Sequence, residues 1–317
     1  MIPQIVFLVG PPGSGKSEIA VKLAKELNGE IISCDSMLVY RGMNIGTAKL
    51  TLRERGGVRH RLIDLKNPRQ HFTVSEYRKL ALQVIDQILK RNHLPIVVGG
   101  SGLYVQALID GLVPETGKTK KIRTALEKKL EKYGWKKLFR ELKSIDPERA
   151  SEILPGDGRR IVRSLEIYEA YKIKPSIWRK KRVGLNALGF DWVMIGLMRE
   201  RPELYGRINQ RVMAMIEKGL IREVKYLSKS GLSKTACQAI GYSEILAYLK
   251  GRMSLEEAIL TIQTRSRHLA KKQLTWFRKD KRIHWIEIGD NDSLNKIVKV
   301  AVNFLKNKDK KTSLVLS

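Results

Sequence analysis

The chain has 317 residues, 43% hydrophobic and 29% charged, with a formal net charge of +29. That length supports about two domains and a sizeable core, and the composition is that of a globular protein. No apolar run approaches the roughly 20 residues that span a bilayer, and the distant Cys34 and Cys237 match no disulfide or metal spacing, which points to reducing surroundings.

The first apolar run, residues 5–9, predicts a core strand and not a signal peptide. A glycine-rich loop, a helix over 17–27 and a second strand over 30–34 follow. A helix over 74–91, a strand over 94–98 and a helix over 103–111 complete the first part. Strands alternating with helices predict an α/β fold, a parallel sheet flanked by helices of the P-loop NTPase kind. Ligands of such sheets bind at the carboxyl ends of the strands. From about 115 to 182 the chain turns Lys- and Glu-rich, with helical spacing at Ile122, Leu126, Leu130 and Leu138. Asp146-Pro147 starts a further helix, and residues 156–158 break the chain before another over 159–171. This stretch reads as a helical insertion domain. A strand over 191–198 returns to the main sheet. Helices over 203–218 and 254–279, a strand over 283–288 and a helix over 294–307 form a helical C-terminal part, and the charge-dense tail at 306–311 is expected to fray. The expected division is therefore 1–114, 115–190 and 191–317. The charge is uneven: residues 1–114 carry a net +6 and residues 115–317 a net +23. An excess this large suggests a polyanionic partner; a lysine-rich surface with no specific task is the alternative.

Three motifs fall at predicted carboxyl ends of strands. Gly10-Pro11-Pro12-Gly13-Ser14-Gly15-Lys16-Ser17 fits the phosphate-binding G-x-x-x-x-G-K-[ST] loop, between a strand and a helix. Its backbone N–H groups can wrap a phosphate, Lys16 adds a point charge, and Ser17 offers a hydroxyl to Mg²⁺. Such loops commonly bind ATP; here other features argue for a different occupant. Asp35 places a carboxylate beside that site, either as a proton acceptor or as a loop or capping aspartate. Gly99-Gly100-Ser101-Gly102 ends the strand at 94–98 where an NTPase often has a magnesium-holding acid. Farther on, Arg207 and Arg211 share a helix face and could clamp a diphosphate or form a solvated basic face. Residues 264–279 interleave basic residues with Leu, Trp and Phe. Their charge favours nucleic acid over a membrane, with Trp276 and Phe277 read as core more readily than as base-stacking platforms.

Together these segments resemble the bacterial tRNA dimethylallyltransferase (tRNA isopentenyltransferase) family along nearly the whole chain and in order. The match also runs through Val39-Tyr40-Arg41-Gly42-Met43, Asn44-Ile45-Gly46-Thr47-Ala48-Lys49 and His60-Arg61-Leu62-Ile63-Asp64. The resemblance implies transfer of a dimethylallyl group from dimethylallyl diphosphate to the exocyclic N6 amine of the adenine 3′-adjacent to the anticodon, with release of diphosphate. It implies that the loop at residues 10–17 seats the donor diphosphate with Mg²⁺ on Ser17, that Asp35 binds the amine and acts as base, that Ser101 holds the bridging oxygen, and that Arg211 steadies the departing diphosphate. It further implies tRNA contacts at Asp35, Ser36, Met37 and Leu38; at Ser101 and Arg123; at Arg159, Arg160, Ile161, Val162 and Arg163; at Gln238, Ala239, Ile240, Gly241, Tyr242 and Ser243; and at Lys271, Lys272, Gln273, Leu274, Thr275, Trp276, Phe277 and Arg278. The partners expected are the tRNA anticodon stem-loop and dimethylallyl diphosphate, with no membrane, for a cytoplasmic monomer. The chain departs from the family pattern at Pro12, Gly13 and Ser17 in the loop, at Ser101 where threonine is usual, and at Arg159 where glutamine is common. Rival readings are an adenylate isopentenyltransferase, a small-molecule P-loop kinase, and an RNA-binding protein switched by nucleotide.

Overall fold

The computed structural model describes residues 3–113 and 119–306. In chain order these form β1 (Ile5–Val9), α1 (Lys16–Glu26), β2 (Gly29–Ser33), α2 (Leu52–Arg55), β3 (His60–Arg61), α3 (Val74–Leu89), β4 (Leu94–Gly99) and α4 (Gly102–Ile109). Then come α5 (Lys120–Ile145), α6 (Pro147–Ser151), α7 (Gly158–Tyr171) and α8 (Pro175–Lys180). The chain continues with β5 (Trp192–Arg199), α9 (Arg201–Glu217), α10 (Leu220–Ser230), α11 (Lys234–Cys237), α12 (Tyr242–Leu249), α13 (Leu255–Phe277), β6 (Ile283–Ile288) and α14 (Leu294–Lys306). It divides into two units, one built from the chain up to Ile109 and from Gly189 onward, the other from Asp110 to Leu188. The expected boundary at 114/115 and the tail beyond 306 lie outside the described residues.

In the first unit the six strands form one sheet in the order β3-β2-β4-β1-β5-β6, every pairing parallel. A parallel sheet is covered on both faces, so its strands read as unbroken apolar runs; every residue of β1 is buried. Val6, Leu8, Ile31, Ile96 and Ile195 pack with Ile19, Leu23, Ile297 and Phe304 of α1 and α14. On the opposite face the Cys34 thiol meets the Tyr77 hydroxyl, and Tyr77 stacks on Tyr104 with ring centroids 4.5 Å apart. β1 lies between β4 and β5, so its carboxyl end, where the glycine-rich loop begins, sits mid-sheet. The two-residue β3 and the helices α2, α10, α11 and α12 are additions to the elements expected from sequence.

The second unit is helical. α5 bends at Gly134 (φ 73), and its Leu126, Leu138 and Leu142 pack with Ile153, Ile161 and Leu165. Asp157 starts α7 by accepting the Arg160 N–H at 3.1 Å. Asp146 caps α6 through the Arg149 N–H at 2.9 Å and accepts the Ser176 N–H at 2.7 Å, tying α8 to the same carboxylate. Side-chain oxygens at helix starts satisfy amides that have no partner within the helix.

Candidate active site

The glycine-rich loop turns through left-handed backbone at Gly13 (φ 83) and Gly15 (φ 86), angles a residue with a Cβ adopts only under strain. Gly15 is the N-cap of α1, so the first amides of that helix face the loop's interior. Ser14 donates to the Pro11 carbonyl at 2.9 Å. The Lys16 ammonium donates to the same carbonyl at 2.5 Å and to Ser14 Oγ at 3.4 Å. From α9, Arg207 donates to the Gly13 carbonyl at 2.9 Å, and Arg211 donates to the Thr47 carbonyl at 3.5 Å. The i, i+4 spacing thus gives two jobs to one helix face: Arg207 buttresses the loop from outside, while Arg211 lines the cavity beside it.

That cavity, of about 130 Å³, is lined by the polar Lys16, Ser17, Asp35, Arg211 and Gln273. Ala20, Ile31, Leu38, Leu50, Ile63 and Val98 supply apolar wall, and Lys49, Arg55 and His60 also border it. Burial pulls the Lys16 ammonium down to about 7; the Arg211 charge pushes the same way and Asp35 opposes. Burial also lowers Arg211, again opposed by Asp35. Two cations forced together in a site that desolvates them are poised for an anion, which restores both. Asp35 is oriented by the Met37 N–H, which donates to its Oδ1 at 2.7 Å. Its neighbour Cys34 is fully buried, with burial pushing its thiol up to about 12; it is no nucleophile.

The turn after β4 is explained by close approach. A Cβ on Gly99 would lie 2.1 Å from the Cys34 carbonyl oxygen, one on Gly100 2.4 Å from Gln273 Oε1, and one on Gly102 2.4 Å from the Trp276 ring. The glycines admit α13 against the sheet rim, and Gln273, one turn before Trp276, borders the cavity with an Oε1 that is buried and has no hydrogen-bond partner. Sequence reasoning placed Gln273 only within a run of RNA contacts. Its approach to Gly100 carries no local sequence signal. Ser101 follows the cavity-lining Gly100 without lining the cavity, and its carbonyl accepts the Tyr104 N–H at 2.8 Å at the start of α4.

The residues expected to touch RNA separate into exposed and buried. Arg159 and Arg160 are exposed at the start of α7, and Arg123 is exposed and paired with Glu127 at 3.1 Å. Ile161 and Val162 are core residues of the second unit. In the first unit Ser36, Met37 and Leu38 are half-buried beside Asp35, Gln238 is exposed, and Ile240 and Ser243 are half-buried. Ala239, Tyr242 and Phe277 are buried, so their side chains offer no surface to RNA. Lys271, Lys272, Thr275 and Trp276 are exposed along α13, and Arg278 is exposed at its C-cap. Lys271, Leu274, Thr275 and Arg278 line an open groove of about 1120 Å³ with Arg199, Arg201, Tyr205 and Trp285. Neither the loop at 10–17 nor Asp35 borders that groove, so the smaller cavity is the candidate reaction site.

Among the described residues no cluster of three or more His, Cys, Asp or Glu side chains could hold a metal. Magnesium needs no such cage; it keeps waters and borrows phosphate oxygens. A Ser17 hydroxyl at the mouth of a phosphate loop fits that donor set. Among the described residues no helix is long and apolar enough to cross a membrane.

The profile of the IPP transferase family matches residues 38–280. A tRNA dimethylallyltransferase from Thermoanaerobacter sp. (strain X514) is 46% identical over 97% of this chain and 99% of its own. One from Halothermothrix orenii is 45% identical over 91% of this chain and 88% of its own. Among solved structures, the tRNA isopentenylpyrophosphate transferase from Bacillus halodurans aligns with a TM-score of 0.71 at 42% identity, covering 97% of this chain and 98% of that one. A eukaryotic dimethylallyltransferase acting on tRNA aligns with a TM-score of 0.83 at 28% identity, covering 98% of this chain and 81% of that one.

Proposed function

The chain belongs to the IPP transferase family, and from that premise we propose that it transfers a dimethylallyl group from dimethylallyl diphosphate to the N6 amine of the adenine 3′-adjacent to the anticodon of tRNA. One observation carries the assignment of the site: a phosphate loop, a second buried cation and a carboxylate border a single cavity with an apolar wall.

The chemistry follows from that arrangement. The amine lone pair attacks the allylic carbon, the bond from that carbon to the diphosphate oxygen breaks, and the electron pair leaves with diphosphate. The loop amides, Lys16 and Arg211 offset the charge that grows on the leaving group. Asp35, held by the Met37 N–H, orients the amine and takes its proton. Ser101, next to the cavity, holds the bridging oxygen, the role its resemblance implies. Ser17 would hold magnesium, which would supply Lewis-acid stabilisation to the departing diphosphate. The apolar wall shields the allyl group from water.

The target adenine is stacked in the anticodon loop and must leave the stack to reach a cavity of this kind. Exposed basic residues on α7 and α13 grip the anticodon stem-loop and offset that cost. On this reading the protein works in the cytoplasm, as a monomer. A kinase predicts consumption of ATP, and the glycine pair that ends β4 supplies no acid for it.

Mass spectrometry of tRNA incubated with the protein, Mg²⁺ and dimethylallyl diphosphate tests the reading; the expected product carries one added prenyl unit. A second arm offers AMP beside tRNA. Prenylated AMP with unmodified tRNA would reassign the chain to the adenylate enzymes.

A further inference from the structure

Residues 44–50 have no regular secondary structure, yet Thr47, Ala48, Lys49 and Leu50 form one wall of the cavity. Ala48 sits at φ 49, a left-handed conformation that a residue with a Cβ keeps only where its surroundings impose it. The surroundings come from far along the chain. Glu223, in the first turn of α10, accepts three successive backbone N–H groups: Asn44 at 3.0 Å, Ile45 at 2.8 Å and Gly46 at 3.2 Å. The Tyr242 hydroxyl donates to the same carboxylate at 2.6 Å. Tyr242 is fully buried, and a Cβ on Gly46 would stand 2.5 Å from its ring. Burial and the Glu223 charge both raise the Tyr242 phenol, so it stays a donor. Immediately after the clamped amides, the Thr47 carbonyl accepts Arg211.

The helical hairpin of α9 and α10 therefore grips one loop twice, by an arginine on a carbonyl and by a carboxylate on three amides. We infer that Glu223, braced by Tyr242, is a positioning residue: it fixes the turn at 44–47 so that the Thr47 carbonyl holds Arg211 at the cavity wall. The inference rests on the reading that this cavity takes a prenyl diphosphate. It also gives Tyr242 a different task from the RNA contact that its segment suggested. Hydrogen bonds to an ionised acceptor are about twice as strong as neutral ones, and without the carboxylate Arg211 loses the fixed partner that pre-orients it.

The test compares the full-length protein with Glu223→Gln and Tyr242→Phe in steady-state transfer, filter binding of tRNA and thermal melting. Gln keeps the size but turns an N–H₂ toward amide donors; Phe keeps the packing and removes only the O–H. The expected result is a donor KM raised about fivefold or more with kcat lowered about tenfold for Glu223→Gln. Tyr242→Phe moves both in the same direction by less. The tRNA Kd stays within about twofold for both. Unchanged donor KM and kcat in both variants overturn the inference. So does a tRNA Kd that shifts while donor KM stays put, which returns Tyr242 to the RNA surface. A lowered melting temperature with wild-type kinetics also overturns it, leaving a purely structural brace. A wild-type protein that transfers nothing overturns the functional reading itself, and this inference with it.

Discussion

The cavity of the first unit and the surface of the second are both basic, and they use their cations in opposite ways. At the cavity, Lys16 and Arg211 are desolvated beside each other, and Lys16 is brought down to about 7. On the surface of the second unit several cations are exposed and loosely paired: Arg123 with Glu127 at 3.1 Å, Arg160 with Asp157 at 3.3 Å, Lys129 with Glu169 at 4.0 Å. Exposed pairs of this kind contribute little to stability, so those charges are available to a polyanion at small cost. Desolvated, converging charge does chemistry on a small anion; dispersed, hydrated charge supplies affinity for a large one.

Substitutions in the two regions should separate accordingly. The largest effect is expected from Asp35→Ala, which removes the base and the group that orients the amine. Turnover should fall about 10²–10⁴-fold, with tRNA affinity nearly unchanged by filter binding. Near-normal turnover in that variant removes Asp35 from the role of base. Next comes Arg211→Ala, expected to lower kcat by about 10²–10³, measured in single-turnover assays with pre-bound tRNA. A change in tRNA Kd alone would move Arg211 to the other side of the comparison.

The third expectation concerns pH. The folded value of Lys16, about 7, lies below its ordinary 10.5. The folded protein thus binds fewer protons than the unfolded chain between those values. The contribution of Lys16 to stability is least favourable below about 7 and improves as pH rises toward 10.5. Diphosphate favours the charged ammonium, so its binding takes up a proton in that range, and its affinity should fall as pH rises above about 7. Calorimetry with diphosphate in buffers of different ionisation enthalpy measures that proton. No uptake at pH 8 would mean that Lys16 is already fully charged in the free protein. The smallest effect belongs to the exposed set. Arg159→Ala with Arg160→Ala should leave kcat at saturating tRNA unchanged and lower the slope of log Kd against log salt by about 0.7–0.9 per lost phosphate contact.

Local patterning made much of this legible. β1, β4 and β5 are mostly apolar runs, β6 mixes apolar residues with the exposed His284 and Glu287, and the glycine-rich loop announces itself by spacing. α10 has an amphipathic pattern too, but it follows α9 after only two residues and has no motif to set it apart. β3 has only two residues, His60 and Arg61, too few to show a period; it exists because β2 offers it an edge. In the candidate site, Lys16, Ser17 and Asp35 stand in motifs, and Arg211 was found through helical spacing. Glu223 carries no sequence signal for the site, and Gln273 is legible only as one of a run of RNA contacts. The loop amides that Glu223 holds and the Gly100 that Gln273 approaches lie more than 170 positions away in the chain, and an acid in a first helical turn or a glutamine on a basic helix is unremarkable locally.

By itself, then, the amino-acid sequence determined the phosphate loop, the alternation that makes a parallel sheet, and the concentration of positive charge beyond residue 114. Those properties depend on residues within a few positions of one another or on composition. The tertiary structure alone decided that α9 delivers Arg211 to the mouth of β1, that α13 leans Gln273 onto Gly100, and that Glu223 holds the loop at 44–46. The physical reason is the order β3-β2-β4-β1-β5-β6. Pairing β1 with β4 and β5 folds the late helices over the early loops, and only then do distant charges share one desolvated space.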